Sequence, residues 1–170
     1  MDARAKLFGH PVHQMLIVFP LGLLATSFFF DIAYLITRRA DLEIVAYWMI
    51  FAGVILGLCA ALFGFIDWLA IPKNTRARAI GVWHGLGNVV VTLLFAVSWF
   101  TRHANPSAPI PSAYYLSGVA FAIALLTGWL GGELVDRLSV GVDEGAHLDA
   151  PNSLSGRPAS ETSRTRSIGT

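Results

Sequence analysis

Five residues able to do acid–base or ligand chemistry stand at the edges of long apolar stretches in this 170-residue chain: His10, His13, Asp67, His84 and Glu133. Ionisable groups in such places are costly in a membrane, so each needs a reason. The two first histidines belong to Gly9-His10-Pro11-Val12-His13. Pro11 suits the first turn of a helix, where a missing N–H costs nothing. The spacing of three then predicts both imidazoles on one helical face. Gly53, Gly57, Ala60 and Gly64 recur at helical spacing, a small-residue stripe that lets membrane helices approach closely. Three residues further on the stripe reaches Asp67, which is therefore expected to face neighbouring helices. His84 and Asn88 stand four apart, beside a second close-approach pair, Gly81 and Gly85. Glu133 and Asp136, three apart, close the last apolar stretch.

Imidazoles and carboxylates gathered at one end of a helical bundle can bind zinc, iron, copper or manganese. The five donors would suffice for one transition metal, with Asn88 and Asp136 orienting the ligands from behind. Facing histidines can also clamp the iron of a b-type haem. The pair expected for haem is His10 or His13 opposed by His84. Each residue also has a plainer explanation. His10 and His13 suit an interfacial helix start, Asp67 could pair with Arg76, Arg78 or a protonated His84, and Glu133 could sit in headgroup water.

Four apolar blocks must position these residues: 15–37, 46–71, 79–100 and 113–135. Each is long enough for the roughly 20 helical residues that cross a hydrocarbon core. The connectors are short: Arg38-Arg39-Ala40-Asp41, then Pro72-Lys73-Asn74, then Arg102 to Pro106. Short links force neighbouring spans antiparallel, so residues 1–138 are predicted to form an all-α, up-down-up-down, integral membrane four-helix bundle. Pro20 should kink the first span. That span contains Asp31 and lacks a clear cleavage site, so it does not read as a signal peptide.

The topology brings His10, His13, Asp67, His84 and Glu133 to one membrane face. Trp68, Trp83 and Trp129 mark that face; Tyr34, Tyr47, Trp48, Trp99, Tyr114 and Tyr115 mark the other, as two aromatic belts would. Arg4, Lys6, Lys73, Arg76, Arg78 and Arg137 flank the first face; Arg38, Arg39 and Arg102 flank the second. The positive-inside rule then places both termini in the cytoplasm of a cell-membrane protein. Asp31 falls about 27 Å along a helix from His13. There it is expected to snorkel or to pair with Arg102, in preference to forming an outer proton or ion access point. His103 should be solvated in the outer loop.

From residue 139 to 170 the chain turns rich in Ser, Gly, Pro, Thr and Asp and reads as a disordered tail; His147 is a bystander there. No internal repeat is evident. Of all residues 55% are hydrophobic and only 14% charged, against roughly 25% charged in an average soluble domain. The lone Cys59 excludes an intrachain disulfide and argues against cysteine-ligated zinc or iron–sulfur. The basic residues are scattered, with no nucleic-acid footprint, and there is no P-loop or dinucleotide fingerprint.

The opening Gly9-His10-Pro11-Val12-His13, with Met15 through Gly22, resembles the family of prokaryotic membrane proteins known as domain of unknown function 2231. Gly64-Phe65-Ile66-Asp67, His84 through Asn88 and Gly131-Gly132-Glu133-Leu134 do so too. The resemblance runs from about residue 8 to 142. It implies a membrane protein without an assigned activity. Some relatives look fused to Rieske-type iron–sulfur domains, which implies redox surroundings. Three functions stand open: a metal- or haem-binding redox protein with a redox partner; a structural or partner-binding subunit whose polar groups form a packed network; and a small, oligomeric proton- or ion-coupled transporter.

Overall fold

The structure is a computed structural model and describes residues 1–163. Arg164 and Arg166, counted with the tail, lie outside the described residues. Four helices among the described residues are long and apolar enough to cross a membrane. They are α1 (Val12–Thr37), α2 (Ala40–Ala70), α3 (Arg76–Arg102) and α4 (Pro111–Gly132), the last followed by a turn of π-helix, Glu133–Arg137. Each extends past its predicted apolar block, because the helical backbone continues into polar ends that satisfy its free amides and carbonyls. Thr75 caps α3 by accepting from the Arg78 amide at 3.2 Å. The exposed Asp41 lies in the first turn of α2, where the helix dipole favours a carboxylate. Arg78 donates to the Trp68 and Ile71 carbonyls at the end of α2, at 2.8 and 3.0 Å. Its guanidinium lies 3.7 Å from the Trp68 ring centroid. Regular helix in α1 is interrupted at Ile17. Pro20 has no N–H to donate to the Leu16 carbonyl one turn back, which accounts for the break.

Ahead of α1 the chain departs from expectation. Lys6–Leu7 (β1) and His10–Pro11 (β2) form a two-residue antiparallel pair, turned by Phe8 and Gly9 at positive φ. Pro11 is extended and precedes the helix (φ −61°, ψ 120°). His10 is therefore on a strand, exposed, and does not share a helical face with His13. The tail carries one short 3-10 turn, Ser153–Ser155. It lies against the N-terminal segment: the Met1 ammonium donates to Ser139 O at 2.9 Å and Ser153 Oγ donates to Phe8 O at 3.1 Å. Lys6 pairs with Asp143.

The core is shared by all four helices: Leu24, Ile50, Val91, Phe95 and Ala120 are its buried centre. Large apolar side chains such as Phe29, Leu62, Leu93 and Leu126 cover the outside and are exposed, as a lipid-facing surface requires.

The buried positions also show an internal repeat, which corrects the expectation that there is none. On α1, Pro20, Leu24, Ser27 and Asp31 are buried; on α3, Val91, Phe95, Ser98 and Arg102 are, each 71 residues later. On α2, Ala46, Ile50, Gly53 and Ala60 are buried; on α4, Ala113, Ser117, Ala120 and Thr127 are, each 67 residues later. The two hairpins thus repeat one packing pattern. Near each end of α1 and α3 a residue meets its own counterpart: His13 faces His84 at one end, and Asp31 binds Arg102 at the other. Self-contact of equivalent positions is the mark of a two-fold axis, here running along the bundle. Few equivalent residues are identical, so burial reveals the repeat where sequence does not.

Candidate site at the paired histidines

His13 and His84 occupy equivalent places in the two hairpins, and each reaches across to the neighbouring helix. His13 Nδ1 lies 2.8 Å from the Ala60 carbonyl of α2. His84 Nδ1 lies 2.9 Å from the Thr127 carbonyl of α4. A carbonyl can only accept, so each Nδ1 carries the proton and each Nε2 presents a lone pair. Each ring lies over a glycine. A Cβ on Gly64 would come within 2.8 Å of His13, and one on Gly131 within 3.0 Å of His84. The two rings are perpendicular, with centroids 6.4 Å apart. Asn88 is braced beside them: Thr127 Oγ1 donates to its Oδ1 at 3.2 Å, and its Nδ2 donates to the His84 carbonyl at 2.8 Å. The same Nδ2 is 3.3 Å from His84 Nε2.

The other expected ligands have local partners. Asp67 Oδ1 accepts from the backbone amides of Arg4 and Ala5, at 2.7 and 3.1 Å. It holds the N-terminal strand segment down on the bundle rather than pairing with Arg76, Arg78 or His84. Glu133 pairs with Arg76 at 2.5 Å. His10 has Ser153 Oγ 3.4 Å from Nε2. Asp136 is exposed at the rim of a shallow cavity with Glu133 and Arg137. Among the described residues no group of three or more His, Cys, Asp or Glu side chains is placed to hold a metal ion. The expected five-residue ligand set is therefore not assembled; a two-histidine pair with Asn88 is.

The glycines divide likewise. Gly53 admits Leu24, since a Cβ there would meet its side chain at 2.7 Å, and Gly81 admits Trp68 at the same distance. Gly57 has ordinary contact with Pro20 at 3.6 Å, whereas Gly85 has nothing within 4 Å and is no close-approach residue.

A second polar cluster lies at the opposite end. Arg102 is fully buried, and all five guanidinium N–H groups can be accounted for. Its Nη1 and Nη2 donate to Asp31, each at 2.7 Å; Nη1 also donates to Glu43 at 2.9 Å. Nη2 and Nε donate to Ser117 and Ser98, at 3.0 and 3.2 Å. Asp31 thus pairs with Arg102, as expected for it. Glu43 was missed because it precedes the apolar block. The signal was present: extending the α2 stripe backwards from Gly53 through Ile50 and Ala46 reaches Glu43. His103 is exposed and lies 2.8 Å from the Tyr47 hydroxyl.

Four membrane-length helices, apolar outside and polar at two inner ends, agree with what comparison of the sequence with known families finds. The profile of the family described as "Predicted membrane protein (DUF2231)" matches residues 9–144. The chain belongs to this family. The match covers all four helices and both polar clusters, and the membrane assignment of the family accords with the exposed apolar surface. Searches of curated proteins and of solved structures find no match.

Proposed function

We propose that this membrane protein binds a b-type haem between His13 and His84 and serves electron transfer, with both termini on the cytoplasmic side of the cell membrane. The observation that carries this reading is the histidine pair. Each Nδ1 is bonded to a backbone carbonyl, the arrangement that fixes and strengthens an imidazole ligand. The two rings stand 6.4 Å apart, and His13 and His84 would hold the haem iron through their Nε2 atoms. A bare ion would lack ligands here, because Asp67 and Glu133 are engaged elsewhere. A haem would need only His13 and His84 from this chain and would supply one-electron redox chemistry. The six-to-three excess of Lys and Arg flanking the histidine end supports the orientation.

The test is the visible spectrum and metal content of the protein purified in detergent after expression with added haem and metals. A Soret band that is lost in folded H13A and H84A variants is expected. A protein with neither a Soret band nor stoichiometric metal refutes the proposal. The competing reading, histidines as interhelical clamps, is favoured by the same two Nδ1 bonds. It predicts a colourless protein in which either substitution lowers thermal stability.

A further inference from the structure

At the end of the bundle away from the histidines, two carboxylates converge on one cation. Asp31 from α1, Glu43 from α2 and Arg102 from α3 are each essentially inaccessible to solvent, with relative exposures of 1%, 0% and 0%. Arg102 Nη1 bridges the two acids, at 2.7 Å to Asp31 and 2.9 Å to Glu43. Asp31 and Arg102 form a two-pronged, neutral pair. Glu43 adds a second carboxyl to a site with no second buried cation among the described residues. A net buried charge of this kind is strongly unfavourable, and taking up a proton removes it. Like charges sharing one partner act in the same direction.

A separate observation concerns Glu43 itself. Its Oε2 accepts from Arg102, but its Oε1 is buried without any hydrogen-bond partner. A carboxylate oxygen left bare in the interior is one of the costliest arrangements a protein can hold, and a neutral carboxylic acid is far cheaper. The other titratable or charged groups on the surrounding helices are few. At this end Tyr34 and Arg38 come from α1, Tyr47 and Asp41 (paired with Arg39) from α2, His103 from the end of α3, and Tyr114 and Tyr115 from α4. The Tyr114 ring lies 5.4 Å from the Arg102 guanidinium, and its hydroxyl too is unpartnered. Tyr47 and His103 are bonded to each other. None brings a cation to Glu43.

The site also has a way out. A cavity of about 440 Å³ opens between the end of α1 and the start of α4. Asp31 and Tyr114 line its inner wall, and Arg38 and Tyr34 line it as well.

We propose that Asp31 and Glu43, bridged by Arg102, are a proton-binding site. It holds one proton between its two carboxyl groups at neutral pH and exchanges it with water through the cavity at Asp31. The exchange is a simple transfer. The O–H bond of the carboxylic acid breaks, the proton passes to a water molecule to give hydronium, and the electron pair stays on the carboxylate beside Arg102. Return of the proton reverses each change.

Infrared spectroscopy of the purified full-length protein in lipid nanodiscs tests this directly. At neutral pH the wild-type protein should show the C=O stretch of a protonated carboxyl group. The band should shift promptly on transfer into D2O, since the site communicates with water. E43Q, which resembles the protonated acid in shape, should remain folded and lose the band; D31N reports on the second carboxyl if E43Q does not accumulate. Absence of the band from the wild-type protein overturns the proposal, as does a band unaffected by D2O or one retained in both variants. None of these readings depends on the haem proposal, because the two sites lie at opposite ends and the spectral regions differ.

Discussion

Replacing Arg102 with methionine should be among the most damaging single changes available in this protein. The guanidinium makes five hydrogen bonds, three of them to carboxylate oxygens, and no part of it is exposed. Methionine fills similar space but leaves Asp31 and Glu43 without their cation and Ser117 without the donor that Arg102 supplies, while Ser98 keeps its hydrogen bond to Ser117. Removing one partner of a buried ion pair costs about 3–5 kcal/mol, because the remaining charge stays desolvated. Set against a typical stability of about 5–15 kcal/mol, that is a large fraction. Protonation of both acids relieves part of the loss, so the penalty should shrink in acidic buffer. The ion cluster itself need not be stabilising: replacing all members of such a group with apolar residues is often neutral or gains about 1–4 kcal/mol. The triple variant D31L/E43L/R102M should therefore recover most or all of what R102M loses. Five tryptophans, including Trp99 near the cluster, make intrinsic fluorescence a suitable readout of denaturant or thermal unfolding in detergent. R102M as stable as wild type, or a triple variant as unstable as R102M, would refute this account of the cluster.

Two further outcomes follow from the geometry. G64V and G131V should each lose about 1–3 kcal/mol by overpacking, since the added carbons would strike the His13 and His84 rings, while G85A should be neutral or gain up to about 1 kcal/mol from helix propensity; equal melting temperatures for all three would contradict the packing described. Asp143, hydrogen-bonded to Lys6 and joined by Asp2, raises the pKa of Lys6 above the usual lysine value. The contribution of that contact is thus complete below the ordinary lysine pKa and disappears as pH climbs through the raised value. Energy transfer between dyes at the N-terminus and at residue 145 should report a loosened tail at strongly alkaline pH, and in K6Q at any pH; a K6Q tail held as closely as that of the wild type counts against it.

Four helices, their order and their direction could be read from the apolar blocks, because bilayer thickness imposes length and composition more strictly than a soluble core does. The stripe Gly53, Gly64 was legible for the same reason that it works, namely that only small residues admit a neighbour's side chain. The site was legible only in part. His13 and His84 come together because each lies at the start of a parallel helix. Asp67 and Glu133 are close in sequence position to the same end, yet backbone amides of Arg4 and Ala5 claim one and Arg76 claims the other. Hydropathy carries no information on such local competition. His10 was misplaced because Phe8 and Gly9 turn the chain before the helix begins, and Glu43 was overlooked because polar helix ends look like loops.

The two-fold pattern has a consequence for which halves can pair with which. In a dimer of identical hairpins, a residue on the axis faces its own copy: histidine would meet histidine, and aspartate would meet aspartate. The first of these is still present in His13 and His84. The second is not, since Asp31 now meets Arg102. Opposite charges at one axial position are forbidden to identical subunits and open to two halves of different sequence. The buried ion pair therefore binds the two halves to a fixed partnership: neither hairpin could pair with itself without burying two like charges face to face.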